Sequence, residues 1–122
     1  MAICIVCGYE SGTFETYLSG FASHDFCPSC GFEFGFDDLN SEVTYVQARH
    51  DWIINGRTWH PDKIDVESWP ALVRKQLDNI RRVDLDSYSN WAIRIQTKWP
   101  PYSDEKEIED SLQKFSANES KI

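Results

Sequence analysis

Apolar and polar positions repeat with different periods along this chain. Around its opening cysteines, Ile3, Ile5 and Val6 suit a short strand, and a second short strand is expected near 14–17. Phe32, Phe34 and Phe36 then alternate with Glu33 and Gly35, the period-2 pattern of a half-buried strand with three rings on one face. Over 42–55 the spacing becomes helical at Val43, Val46, His50, Ile53 and Ile54. Asn40 or Ser41 is placed to cap that helix, and Gly56 stands where a left-handed terminating residue belongs. A loop over 56–67 follows, with Trp59, His60 and Pro61 expected to fold back over the core.

Ser68-Trp69-Pro70 opens a second helix that runs to about Arg82, its apolar side formed by Leu72, Val73, Leu77 and Ile80. Beyond a turn at 84–90, Trp91, Ile93, Ile95, Thr97 and Trp99 alternate with polar neighbours that include Arg94 and Lys98. This predicts a late β-strand with an exposed polar edge, ended by Pro100-Pro101. Ser103 is expected to cap a final amphipathic helix built on Ile108, Leu112 and Phe115, and 117–122 reads as a frayed tail. No repeat or low-complexity segment is read along the chain.

The chemistry is concentrated in four cysteines. Cys4 and Cys7 stand in C-I-V-C-G-Y, Cys27 and Cys30 in C-P-S-C-G-F, and the whole reads C-x2-C-x19-C-x2-C. Two cysteines three apart on a tight turn can aim both sulfurs at one point, and Gly8 and Gly31 follow where the chain must bend through a left-handed conformation. Four thiolates from two such knuckles make a closed tetrahedral site for Zn2+, with iron as the alternative. Disulfide pairing and a redox C-x-x-C are the competing uses. Met1-Ala2-Ile3-Cys4 offers neither the basic nor the apolar part of an export signal, so reduced thiols and a cytoplasmic location are expected. His24, His50 and His60 are not needed as ligands once four cysteines are present.

These elements define an α+β chain. A small zinc-ribbon-like β unit over 1–38 packs against two to three helices and the late strand, with 39–116 completing the same domain. The length of 122 residues suits one domain. With 41% hydrophobic residues there is material for a core, yet no apolar run nears the roughly 18 residues that span a bilayer.

Charge narrows the partners. Lys and Arg number 12 against 20 Asp and Glu, a net charge of −8. Four thiolates holding one divalent ion would add four negative and two positive charges, taking it to −10. Residues 1–60 hold only Arg49 and Arg57 as strong bases. Such a field repels phosphate backbones and attracts basic proteins. Asp37, Asp38, Glu42 and Asp51 would steer a basic partner, and Trp52 and Trp59 would anchor it. The basic residues Arg74, Lys75, Arg81 and Arg82 form the one patch that nucleic acid could use.

Two resemblances extend this reading. The knuckles resemble those of rubredoxins, which implies iron and electron transfer. Cys27-Pro28-Ser29-Cys30-Gly31-Phe32-Glu33-Phe34-Gly35-Phe36-Asp37-Asp38, Trp52-Ile53-Ile54-Asn55-Gly56, Trp59 and Gln76-Leu77-Asp78-Asn79-Ile80 occur in the order seen in small bacterial cysteine-rich proteins of the CPCC type, and the likeness covers about residues 1–80. Ser29 departs from that pattern, which carries a further cysteine there. The resemblance implies a zinc-ribbon protein, and analogy with small acidic bacterial proteins implies an inhibitor or immunity-type protein that neutralises a basic toxin such as a nuclease. No nucleophile–base pair, P-loop or dinucleotide fingerprint is present, so no enzyme is expected. An iron electron carrier and a nucleic-acid-binding ribbon are the alternatives.

Overall fold

The N-terminal part of the computed structural model, which describes residues 2–12, 14–56 and 66–119, uses one device twice. Strand β1 (Ala2–Ile3) pairs antiparallel with β2 (Glu10–Ser11), with Ile3 opposite Glu10. At an offset of 23 residues, Phe26 lies opposite Glu33 in a single antiparallel bridge. Both copies turn in the same way between the paired residues. Cys4 N donates to Tyr9 O (2.9 Å) and Gly8 N to Cys4 O (2.8 Å), and Cys27 N donates to Phe32 O (3.0 Å) and Gly31 N to Cys27 O (2.8 Å). Gly8 and Gly31 have φ of 80° and 77°, a conformation that costs a side-chain-bearing residue about 1–2 kcal/mol. The chain therefore contains a short internal repeat, C-x2-C-G-aromatic-Glu, contrary to the expectation of none; so few of its positions are shared that hydrophobic periodicity does not reveal it.

The segment expected to form a strand through Phe32, Phe34 and Phe36 curls into turns instead. Asp37 Oδ2 accepts from Glu33 N (2.8 Å) and Asp38 Oδ1 from Gly35 N (2.7 Å), so side chains take the amides that a ladder would need. Phe32 and Phe34 are buried as the alternation requires, while Phe36 is exposed. A separate hairpin, β3 (Tyr17–Leu18) with β4 (Phe21–Ala22), occupies the spacer between the knuckles. Each sheet has two strands of two residues, too little to be stable alone.

Four helices follow among the described residues. Helix α1 (Tyr45–Asn55) starts later than expected: Thr44, rather than Asn40 or Ser41, caps it by accepting from Gln47 N, and Gly56 ends it in the left-handed conformation. Its buried face is Tyr45, Arg49, Trp52 and Ile53, rotated from the predicted stripe, because Tyr45 and Arg49 make buried hydrogen bonds that fix its orientation. Helix α2 (Trp69–Leu77) begins with Pro70 in its first turn and continues as a 3-10 turn over Asp78–Arg82, matching the expected span; Ser68 holds the cap position without a side-chain bond.

The predicted late strand is absent: its first half is a short helix and its second half turns. Ser89 Oγ accepts from Ala92 N and starts α3 (Asn90–Arg94), which buries Ala92 and exposes Trp91. The chain then bends through a cis Trp99–Pro100 peptide. Alternation supplies a strand with a face but not with a partner, and Gln96 is drawn off to accept from Tyr45 N (2.7 Å). In α4 (Glu105–Glu119), Asp104 rather than Ser103 takes the capping bond from Glu107 N (2.9 Å). Residues 117–119, expected to belong to a frayed tail, continue α4, and 120–122 lie outside the described residues.

Buried side chains form one cluster from Cys4, Cys7 and Cys27 to Ile108, Leu112 and Phe115. Helices α1 and α4 make the main helix–helix contact. Trp69 sits between them: its Nε1 donates to Ile53 O (2.9 Å), and its ring lies 5.0 Å from Trp52 and 6.1 Å from Phe115. No helix among the described residues is long and apolar enough to cross a membrane.

The first knuckle seats directly on α2. A Cβ at Gly8 would overlap the Gln76 carbonyl, whereas one at Gly12 would meet open space. Gly8→Ala is expected to lower the unfolding free energy by several kcal/mol, through strain and overlap together, and Gly12→Ala to change it by less than about 0.5 kcal/mol. Parallel urea melts of the two variants check this.

Candidate metal centre

The repeat brings all four sulfurs to one point. Cys4, Cys7, Cys27 and Cys30 present their Sγ atoms within 4.8 Å of one another. Two contacts run across the repeat, Cys4 to Cys30 at 3.7 Å and Cys7 to Cys27 at 3.6 Å, so the first cysteine of each knuckle meets the second of the other. A tetrahedron with metal–sulfur bonds of about 2.3 Å has edges of about 3.8 Å. The observed distances are close to that edge and far beyond the roughly 2.05 Å of a disulfide. All four cysteines are free thiols here, three of them buried and Cys30 partly exposed. These residues fit a single metal ion, which would be held in a closed S4 site.

Electrostatics point the same way. Burial pushes the thiols of Cys4 and Cys30 well above their usual range. Cys27 moves in the opposite direction despite its burial, because hydrogen bonds from Cys30, Cys4 and Cys7 stabilise its thiolate. Burial and mutual hydrogen bonding therefore push neighbouring sulfurs of one cluster in opposite directions. A divalent ion removes the conflict by taking all four as thiolates.

Residues far along the chain hold the knuckles. Arg49, on α1 and 1% exposed, donates from Nε to Val6 O (2.8 Å) and from an Nη to Ile5 O (2.6 Å), the two residues between the first ligand pair. Burial draws its pKa down to about 10, against the opposing pull of Cys4 and Cys7, so it stays charged at neutral pH. It places one full positive charge beside a centre that would carry −2. Gln76 Nε2 donates to Cys7 O (3.1 Å) and towards Ser29 Oγ (3.4 Å), and Asn79 Nδ2 donates to Gly8 O (3.0 Å). The end of α2 and its 3-10 extension thus clamp the first knuckle and reach the second. Ser29 is buried and engaged by that clamp.

Asp38 anchors the other side. Its carboxylate is fully buried, with Tyr17 Oη (2.9 Å) and Tyr45 Oη (2.7 Å) donating to Oδ2 while Gly35 N donates to Oδ1. Burial, then the Asp38 charge, raises both phenols above their ordinary range and keeps them as donors. Asp38 is therefore a core residue and not, as expected, a partner-facing acid. Trp52 is 5% exposed and offers little more than an edge. Trp59 and His60 lie outside the described residues. His24 stands 3.8 Å from Glu33 and His50 3.6 Å from Glu107, and neither belongs to the sulfur cluster.

Three of the proposed partner residues do come together. Asp37, Asp51 and Trp52 line a groove of about 500 Å3 that also contains Cys30 and Phe32, so the partly exposed ligand opens onto it. Glu42 is exposed, with φ 54°, and does not line that groove. Two of the four basic-patch residues are paired, Arg74 with Glu105 and Glu109 and Arg82 with Glu10 (3.0 Å), while Arg81 lies over the Tyr102 ring and Lys75 is exposed.

No family model, curated protein or solved structure matches the chain. Sequence reasoning passed over Arg49, Gln76 and Asn79. An arginine on the predicted inner side of a helix was the available signal for the first. The Q-L-D-N-I stretch was the signal for the other two.

Cys4→Ser and Cys30→Ser are each expected to abolish one equivalent of bound metal and much of the cooperative thermal transition, read by elemental analysis and calorimetry. Because the raised thiols must lose protons to bind, metal affinity rises with pH and falls as pH drops, and titration in two buffers reads the protons released. Arg49→Met leaves Ile5 O and Val6 O unpaired in the core. It should cost roughly 3–5 kcal/mol and speed metal transfer to a chromogenic chelator, with Arg49→Lys intermediate.

Proposed function

We propose that the chain is a zinc-stabilised, acidic protein-binding module that engages a basic protein through the groove beside Cys30. The observation that carries this reading is the convergence of Asp37, Asp51, Trp52 and Phe32 on that groove. Two of these are carboxylates and two are aromatic, a combination suited to steering a cationic surface and then burying an apolar anchor. The metal contributes what such small sheets lack. A structural S4 zinc site supplies on the order of 10–16 kcal/mol of apparent binding energy, and that energy appears as folding energy. In this reading the closed site leaves no position for substrate, so the module recognises and does not catalyse.

In its most concrete form the module is an inhibitor of the immunity type, working in the reducing cytoplasm. It would neutralise a basic toxin such as a nuclease by occluding its phosphate-binding groove. The resemblance to CPCC-type proteins and the net charge of −8 support this form. The test is capture of partners from its own cells with the tagged, metal-loaded protein. A stoichiometric basic protein is expected, with association slowed at least tenfold by Asp37→Lys combined with Asp51→Lys at low salt while the metal is retained. Capture that is indifferent to both reversals would overturn the groove as the contact.

The two-fold arrangement of knuckles favours a second reading, a rubredoxin-like iron centre that passes electrons through the edge at Cys30. Metal analysis separates the two: zinc leaves the protein colourless, and iron gives strong visible absorption that bleaches on reduction.

A further inference from the structure

A second cavity, of about 350 Å3, lies between α2 with its 3-10 extension and the start of α4, and neither the metal nor the acidic groove uses it. Three of the chain's six arginines, Arg49, Arg74 and Arg81, line it together with Tyr102 and Ser103. In a chain where acids outnumber bases by 20 to 12, this is a concentration of positive charge at a concave site. Asp78 and Glu105 also line it, so the guanidinium groups exceed the carboxylates by one.

The three arginines are held differently. Arg49 is fixed in the floor, donating to Ile5 O, Val6 O and Ser103 Oγ (2.7 Å), which leaves two of its five N–H groups outside these bonds. Ser103, having accepted from Arg49, keeps its own hydroxyl proton to donate. Arg74 is partly neutralised by Glu105 and Glu109. Arg81 has no ion pair among the described residues, and its guanidinium carbon lies 5.5 Å from the centre of the Tyr102 ring, which also lines the cavity. Leu77, Ile80 and Ile108 supply apolar wall.

We infer that this cavity binds a small organic oxyanion. Arg81 and the floor at Arg49 and Ser103 would receive its carboxylate or phosphate head, and the apolar wall would receive its body. Guanidinium groups suit both heads because paired N–H donors match two oxygens of either. Arg49 also holds the first knuckle, so an anion here would sit one residue away from the metal-binding loop.

Calorimetric titration of the metal-loaded full chain with inorganic phosphate, and separately with benzoate, at ionic strength fixed by sodium chloride tests the inference and tells the two heads apart. One of the probes is expected to bind saturably with one-to-one stoichiometry. Arg81→Ala should weaken that binding at least tenfold, about the value of one charged hydrogen bond, and Glu105→Gln should tighten it by removing a competing carboxylate. Arg94→Ala, which removes an equal charge away from the cavity over the Trp91 ring, should leave it unchanged. Saturation by neither probe below about 10 mM, equal losses in Arg81→Ala and Arg94→Ala, or weaker binding in Glu105→Gln would overturn the inference.

Discussion

Four sulfurs within 4.8 Å of one another, three of them on buried residues, are the constraint on which this structure depends. Thiols packed that closely cannot all ionise, and as neutral groups they gain little from their mutual contacts. The arrangement becomes favourable when a cation gathers them. The surrounding fold then reads as support for that point. The knuckle glycines bend the chain so that sulfurs face inward, and the two-residue strands close each knuckle without having to be stable themselves. The binding energy of an ion held there would be large beside the few kcal/mol that such strands could contribute, so an occupied centre would decide whether the N-terminal third folds.

Two buried charges connect the centre to the rest of the chain. Arg49 joins α1 to the backbone between Cys4 and Cys7, and Asp38 joins the turn after Cys30 to α1 through Tyr45 and to the hairpin through Tyr17. A buried arginine or carboxylate is costly alone, and each is offset here by three hydrogen bonds. Because both are tied to α1, that helix can sit in only one rotation, which is why its inner face is Tyr45 and Arg49 rather than the more apolar stripe beside them. The clamp from Gln76 and Asn79 adds a third connection, so that helices on two sides fix the knuckles against each other.

The charge layout separates two surfaces. Acidic groups and aromatic edges meet at the groove beside Cys30, whereas arginines turn towards the cavity between α2 and α4. An overall negative charge therefore describes the field seen from a distance and not the chemistry of each concave site.

Local patterns were legible where they depended on neighbours in sequence. The C-x2-C-G knuckles, the glycine end of α1, the proline start of α2 and the apolar side of α4 all follow from backbone geometry within a few residues, and the chain by itself determined them. Alternation at Phe32–Phe36 and Trp91–Trp99 was real but insufficient, because a strand needs a partner's amides. Asp37 and Asp38 claimed the amides in the first case, and Ser89 offered a helix cap in the second. Only tertiary structure decided that Asp38 is a core anchor rather than a surface acid, that Arg49 serves the knuckle, and that three arginines share a cavity. The physical reason is distance along the chain: Arg49 meets residues 43 and 44 positions away, and Gln76 one 69 away, and hydrophobic periodicity carries no information about such pairings.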